Sequence, residues 1–276
     1  MNLPAVHRSF AAQTLHAAYE VLAMGLGLGM LAVICLIWVP VALPLYLLLP
    51  RNWGRRIGRL AIMASFRFYL WFLTVFCYCR FDLAELDGLR RDAPLIIVAN
   101  HPSLLDAVIL LSRFPNMVCV MKAALANNLL FGAGARLARY ICNDAPLELI
   151  LRAREELEEG GQLLLFPEGT RTTQLPINPC SGSVGLISSR TAVPVQAVLI
   201  DFSSPYLGKD WPLFRRPSLP LRVSVRVGRR FAPPADVHAF TQELEQYFRD
   251  ELSATACAGA LTAAGDAAPA SGALVS

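Results

Sequence analysis

From Val21 to Pro50 the chain carries no charged residue, a run interrupted only by glycines and two prolines. About 20 mostly apolar positions suffice to cross a bilayer, so this run predicts a membrane-embedded helix. Gly25, Gly27 and Gly29 would let another helix approach closely, and Pro40 and Pro44 are expected to kink it. Arg51, Arg55, Arg56 and Arg59 follow at once, and the positive-inside tendency places everything after them in the cytoplasm. Leu60 to Cys79 is again apolar, but with Arg67 in its middle and many aromatic residues. That composition suits an interfacial or re-entrant helix, whose arginine can snorkel to the headgroups. No polar mature sequence follows a small-residue cleavage site, so no removable signal peptide is expected.

Beyond Phe81 the periodicity changes to short apolar runs alternating with helical stretches. Strands are predicted at Leu95–Ala99, Met117–Met121, Gln162–Phe166 and Val193–Ile200. Helices are predicted at Ser103–Ser112, around Leu129–Ile141, at Leu147–Glu158 and at Ser183–Ser189. In the Leu147–Glu158 helix the expected inner face is Leu147, Ile150, Leu151 and Leu157, with Glu155, Glu156, Glu158 and Glu159 turned to solvent and Gly160-Gly161 ending it. Leu221 to Arg230 alternates strictly, Val223, Val225 and Val227 against Arg222, Ser224 and Arg226, and reads as a late strand with a basic outer face. A helix from about Asp236 to Leu252 closes the pattern. The fold class is therefore α/β, a mostly parallel sheet flanked by helices behind an N-terminal membrane-embedded segment. The expected division is an extension at 1–20, a membrane-associated helical region at 21–80, a catalytic domain at 81–252 and a disordered Ala-, Gly- and Ser-rich tail at 253–276.

Two segments carry chemistry. In Asn100-His101-Pro102-Ser103-Leu104-Leu105-Asp106 an imidazole leaves the end of a strand and a carboxylate follows in the first turn of a helix. Pro102 fits that first turn, where its missing N–H has no partner to lose. Asp106 can reach back to one ring nitrogen of His101 and leave the other free to take a proton. An acid near a helix N-terminus is also favoured by the helix dipole alone. The second segment, Phe166-Pro167-Glu168-Gly169-Thr170-Arg171, ends another buried strand. Gly169 permits positive φ or a close ligand approach, and Arg171 offers a planar fork of donors to a phosphate or carboxylate. Singly these are ordinary turn residues. Both segments fall at carboxyl ends of predicted strands, where α/β sheets collect ligands.

Together, and in this order, the two segments resemble the blocks of the glycerophospholipid acyltransferase family that includes bacterial 1-acylglycerol-3-phosphate acyltransferases. Val193-Pro194-Val195-Gln196-Ala197-Val198 resembles its V-P-x-x-P-like block, and the likeness extends over roughly Phe81 to Phe231. The resemblance implies that His101 is the general base for an acceptor hydroxyl and that Asp106 orients it. It further implies that Phe166, Glu168, Gly169, Thr170 and Arg171 form the acceptor-binding block, with Lys122 at a strand end meeting the headgroup or the carrier. The acyl donor would be acyl-CoA or acyl-carrier protein, with no cofactor and no metal. Three departures stand out. The family's F-I-x-R arginine is absent from Tyr140-Ile141-Cys142-Asn143-Asp144, with Arg136 and Arg139 nearby; Ala197 replaces a second proline; and Ser181 stands where a basic residue often precedes Gly182. A lyso-ornithine lipid or another hydroxylated lipid is therefore a competing acceptor.

Composition narrows the setting. Apolar residues make up 55% of the 276 positions and charged ones 17%, and the formal charge is +4. A mild basic excess on an apolar chain suits an anionic membrane surface rather than nucleic acid, for which no motif is present. The expected location is the inner membrane with the catalytic domain facing the cytoplasm. The 7 cysteines follow neither zinc spacing nor a paired framework and read as small buried apolar residues. Ser181-Gly182-Ser183-Val184-Gly185 is superficially like a hydrolase nucleophile elbow, but Ser181 occupies the place of its first glycine and His238 is the only later histidine. A lipid-binding protein on the same fold is the remaining alternative, against which the intact His101/Asp106 pair argues.

Overall fold

The computed structural model describes residues 10–265, apart from 213, 214 and 216. Two long helices, α1 (Phe10–Leu48) and α2 (Arg51–Phe76), precede the sheet. Then come β1 (Cys79–Asp82), a 3-10 stretch (Ala84–Arg91), β2 (Leu95–Ala99), α3 (Leu105–Leu111) and β3 (Met117–Met121). Next are α4 (Ala123–Ala126), α5 (Leu129–Leu137), β4 (Ile141–Cys142), α6 (Pro146–Glu158) and β5 (Gln162–Leu165). Finally α7 (Ser183–Thr191), β6 (Val195–Phe202), β7 (Leu221–Phe231) and α8 (Val237–Gly265) complete the chain. The sheet has seven strands in the order β1-β7-β6-β2-β5-β3-β4. Every neighbouring pair is parallel except β6 with β7. This is the mostly parallel α/β architecture expected from the alternation of runs.

The central strand β2 is buried at all five positions because both faces of the sheet are covered, which is why its sequence reads as one apolar run. Leu95, Ile97 and Ala99 face a core shared with α1, α2 and α3, and Ile96 and Val98 face a second core closed by α6, α7 and α8. β7 keeps the predicted alternation, with Val223 and Val225 buried and Arg222 exposed.

Pro40 and Pro44 lie inside α1 without ending it. Several expectations are corrected. The arginine cluster does not precede the second helix but forms its first turns, and it is largely engaged. Arg59 is 2% exposed, donates through Nε to the Ala138 carbonyl at 3.1 Å and through Nη1 to Asn116 at 2.7 Å, and its Nη2 lies 2.8 Å from Glu156 Oε2. Arg55 pairs with Glu156 and Glu159, and Arg51 with Glu155. The acidic run of α6 is therefore in part a docking surface for α2, not a wholly solvated face. As a result α6 is rotated from the expected face: Leu149, Ala153, Glu156 and Leu157 are buried, and Leu147 and Leu151 are 70% and 53% exposed. Arg139, in a left-handed conformation, lies over the Tyr46 ring of α1 at 4.7 Å. At its other end α8 runs to Gly265, well past Leu252, so residues 253–265 are helical where disorder was expected. The remainder of that tail, 266–276, and residues 1–9 of the N-terminal extension lie outside the described residues.

α1 and α2 are each long and apolar enough to cross a membrane by length and composition. Both are held to the domain on one side, α1 through Ala23, Leu31 and Cys35 and α2 through Ile62, Tyr69 and Leu73. Their other sides leave Leu22, Leu36, Ile37, Leu47, Trp53, Trp71 and Phe76 exposed.

Candidate active site

The site starts where β2 stops. Asn100 is buried and bonds both ways to the Ile200 backbone of β6, accepting from its N–H at 2.8 Å and donating to its carbonyl at 2.9 Å. This side chain imitates one more strand residue and sets the exit angle of the chain. His101 therefore emerges at the carboxyl edge of the sheet. Its backbone N–H donates to Glu168 Oε1 at 2.8 Å, and its carbonyl accepts the Thr172 N–H at 2.7 Å. The two sequence blocks are thus joined backbone to block, not merely near each other.

The imidazole is held on two sides. Nδ1 lies 2.9 Å from Asp106 Oδ2, and the ring stacks on Phe166 with centroids 4.0 Å apart and planes 18° from parallel. Asp106 is 0% exposed, and the same Oδ2 accepts the Ser103 N–H at 2.7 Å, as expected for an acid in a first helical turn. Its Oδ1 is buried without a partner among the described residues. Burial pushes the Asp106 carboxyl up to about 6, against the downward pull of its bonds to His101 and Ser103. Once ionised it can only accept, so Nδ1 must carry the proton and Nε2 keeps a free lone pair. The His101 side chain is 17% exposed, and Nε2 has no bonded partner among the described residues.

Glu168 is a clamp. Oε1 accepts from the His101 N–H and from Thr172 Oγ1 at 2.9 Å, and Oε2 accepts from the Asn178 N–H at 2.9 Å. Burial raises its pKa in spite of those bonds. Asn178, also buried, accepts from the Thr173 and Gln174 N–H groups and donates to the Arg171 carbonyl. Gly169 takes φ +63° at the tip of the turn, which explains a glycine there. Thr170 is half-buried beside it. Arg171 donates from Nη1 to the carbonyls of Leu207 at 3.0 Å and Gly208 at 2.7 Å, and its other donors have no partner among the described residues.

Of the other expected residues, Lys122 ends β3 on this same edge, but β5 intervenes between β3 and β2. Two strand spacings place its backbone roughly 10 Å from that of β2. Arg136 donates to the Ala126 carbonyl and Arg139 is engaged with Tyr46, so both bond away from the His101 turn. The hydroxyls of Ser181 and Ser183 bond each other at 2.8 Å, and His238 bonds Gln242 on its own helix, so among the described residues neither serine is hydrogen-bonded to an imidazole. Among the described residues no cluster of three or more His, Cys, Asp or Glu side chains is placed to hold a metal ion. Sequence reasoning missed Asn100, Thr172, Asn178 and the Leu207–Gly208 carbonyls. Only the turn-rich Pro176-Ile177-Asn178-Pro179 hinted at one of them.

Parts of the chain are similar to known acyltransferases. Residues 80–201 match the family model described as acyltransferase. The lyso-ornithine lipid O-acyltransferase of Pseudomonas aeruginosa is 29% identical over 153 residues, covering 51% of this chain and 58% of the relative. The 1-acyl-sn-glycerol-3-phosphate acyltransferase of the same organism is 28% identical over 170 residues, covering 59% and 63%. A chloroplastic 1-acyl-sn-glycerol-3-phosphate acyltransferase from Brassica napus is 24% identical over 134 residues, covering 46% of this chain and only 39% of the relative. The matched stretches thus span less than two thirds of these relatives' own lengths. The crystal structure of the 1-acyl-sn-glycerophosphate acyltransferase PlsC from Thermotoga maritima superposes with a TM-score of 0.64 at 16% identity, over 87% of this chain and 97% of that one, a likeness of fold. Residues 80–201, which hold the His101–Asp106 pair and the Phe166–Arg171 turn, are thus the part of the chain that is similar to the acyltransferase family.

Proposed function

We propose that this chain is an O-acyltransferase that moves an acyl group from acyl-CoA or acyl-carrier protein to the hydroxyl of a lysophospholipid such as 1-acylglycerol-3-phosphate. The observation that carries the reading is the 2.9 Å contact between His101 Nδ1 and the buried Asp106, which leaves Nε2 free at the carboxyl edge of the sheet. In this mechanism Nε2 takes the proton of the acceptor hydroxyl as its oxygen attacks the thioester carbonyl. The C–S bond then breaks, and the imidazolium returns the proton to the departing thiolate. Asp106 stabilises the imidazolium and fixes its tautomer, and Phe166 fixes the plane of the ring. No covalent enzyme intermediate is needed. Lys122, Glu168, Gly169, Thr170 and Arg171 build or line the acceptor side, Glu168 by holding the turn and Arg171 by its unengaged donors.

The exposed apolar sides of α1 and α2 support a membrane location, with each helix held to the domain along one flank and facing lipid with the other. Three of the four arginines at the start of α2 are paired with α6, so they weigh little in the positive-inside argument. A cytoplasmic face of the inner membrane is supported instead by the unpaired cysteines Cys35, Cys77, Cys79, Cys119, Cys142 and Cys180, which suit a reducing compartment.

A lyso-ornithine lipid is the second acceptor considered, because the relative that acts on it is 29% identical and the F-I-x-R arginine is missing from the β4 region. Purified enzyme in mixed micelles, given a labelled acyl-CoA and a panel of lyso-acceptors, tests the proposal. Label transferred to a lipid hydroxyl supports it. Release of free acid alone would identify a hydrolase, and no consumption of donor or acyl-carrier thioester would leave a lipid-binding protein.

A further inference from the structure

The connection between the antiparallel strands β6 and β7 runs from Ser203 to Pro220, far longer than the roughly 2–5 residues that usually join a hairpin. Such long connections inside a compact domain tend to be binding elements. This one is anchored on both sequence blocks at once. The Leu207 carbonyl accepts the Leu104 N–H at 3.0 Å, at the start of the His101-bearing turn's helix, and also Arg171 Nη1 at 3.0 Å. Gly208 gives its carbonyl to the same Nη1 at 2.7 Å, and a Cβ there would sit 3.5 Å from the Pro102 carbonyl, the residue after His101. Leu207 is buried, and its φ of +49° is a conformation that a leucine adopts only when the surroundings impose it. Tyr206, also buried, packs edge-on against Trp211.

The next residue is Lys209. It is exposed, on a flexible four-carbon stem, and has no bonded partner among the described residues. With Lys122 it is one of only two lysines in the chain. Arg171 is held by one corner of its guanidinium on the Gly208 carbonyl, and Lys209 is the next residue along the loop, so a second cation starts one residue from that contact. Arg136 bonds the Ala126 carbonyl and Arg139 lies over the Tyr46 ring.

We propose that Lys209 and Arg171 together grip the anionic group of the acceptor's headgroup, with Lys209 a specificity-determining residue that favours an anionic over a neutral acceptor. This rests on the acyltransferase reading above, and the shared ligand chemistry is a phosphate or carboxylate on the lyso-lipid. The test is initial-rate kinetics of the wild-type chain, Lys209→Met and Lys209→Arg at saturating acyl-CoA. Lysophosphatidate, lyso-ornithine lipid and neutral monoacylglycerol serve as acceptors. Loss of one charge-assisted contact is expected to raise the KM for the preferred anionic acceptor about ten- to a hundredfold in Lys209→Met. In that variant kcat, the KM for acyl-CoA and the rate on monoacylglycerol should hold, and Lys209→Arg should restore most of the loss. Which anionic lipid shows the change identifies the headgroup. An unaltered acceptor KM overturns the proposal, as does a change confined to the acyl-CoA KM or an equal loss in both variants. If the wild-type chain transfers to none of the three, the acyltransferase reading fails on its own. Lysophosphatidate binding in neutral micelles then decides the role of Lys209: at least tenfold weaker binding by Lys209→Met supports it, and equal binding overturns it.

Discussion

Replacing Asp106 by Asn separates what the carboxylate does for catalysis from what it does for stability. In the wild-type site Oδ2 alone accepts from both His101 Nδ1 and the Ser103 N–H, and Oδ1 has no partner among the described residues. An amide can keep its oxygen in the Oδ2 position and put its NH₂ where Oδ1 was. That leaves one buried donor unsatisfied, at a cost of about 1–3 kcal/mol. The opposing effect is relief of a buried charge. Burial pushes the folded-state carboxyl up to about 6 from the ordinary aspartate value of about 3.9. A group raised on folding contributes stability that is fully present below its unfolded pKa and lost as pH rises through its folded one. The loss is complete by pH 8 and on the order of 3 kcal/mol. Asp106→Asn removes it, so the two effects nearly cancel at pH 8, and at pH 4 only the cost remains. Turnover should behave differently, because an amide cannot stabilise the imidazolium. A loss of about 10²–10⁴-fold in kcat is expected. The assay is thermal unfolding at pH 4 and pH 8 alongside acyl transfer at pH 8. The expected pattern is an unfolding midpoint near wild type at pH 8, a lower one than wild type at pH 4, and activity nearly abolished. An unfolding midpoint at pH 8 that falls in step with activity would refute the reasoning, and so would activity within tenfold of wild type.

Wild-type kcat/KM should decline with unit slope below pH about 6 as Asp106 takes up a proton, and the pH profile of acyl transfer at saturating donor checks it. Glu168→Ala leaves the His101 and Asn178 N–H groups without their acceptor, at about 1–3 kcal/mol for each. It should lower the denaturant midpoint and turnover together. Glu156→Ala strips the buried Arg59 of its ion pair and should cost about 3–5 kcal/mol, read as a lower thermal midpoint, whereas exposed Glu158→Ala should shift it little.

The runs of β2 and β3 were legible to the residue, most directly for the central strand β2, because a strand buried on both faces must be apolar throughout. The His101–Asp106 pairing was legible too, since a five-residue spacing across a first helical turn fixes it locally. The inner face of α6 was not. Leucines or isoleucine at 147, 149, 150, 151 and 157 allow more than one apolar stripe, and the choice between them is made by Arg59, far away in sequence, drawing Glu156 inward. Positive charges at the start of α2 read equally well as a membrane flank or as a docking surface, and only the tertiary partner distinguishes them. The Leu207–Gly208 clamp left no periodic trace, because it works through backbone carbonyls that any residue supplies. Extension of α8 past Leu252 reflects an alanine-rich sequence whose helix propensity is high even without a patterned apolar face.

Acyl transfer by His101→Ala, measured on protein shown by thermal unfolding to be folded, bears most directly on the role given to that imidazole. A fall in kcat of about 10²–10⁴-fold with little change in the KM for either substrate is the expected result. Turnover within a fewfold of wild type would contradict it.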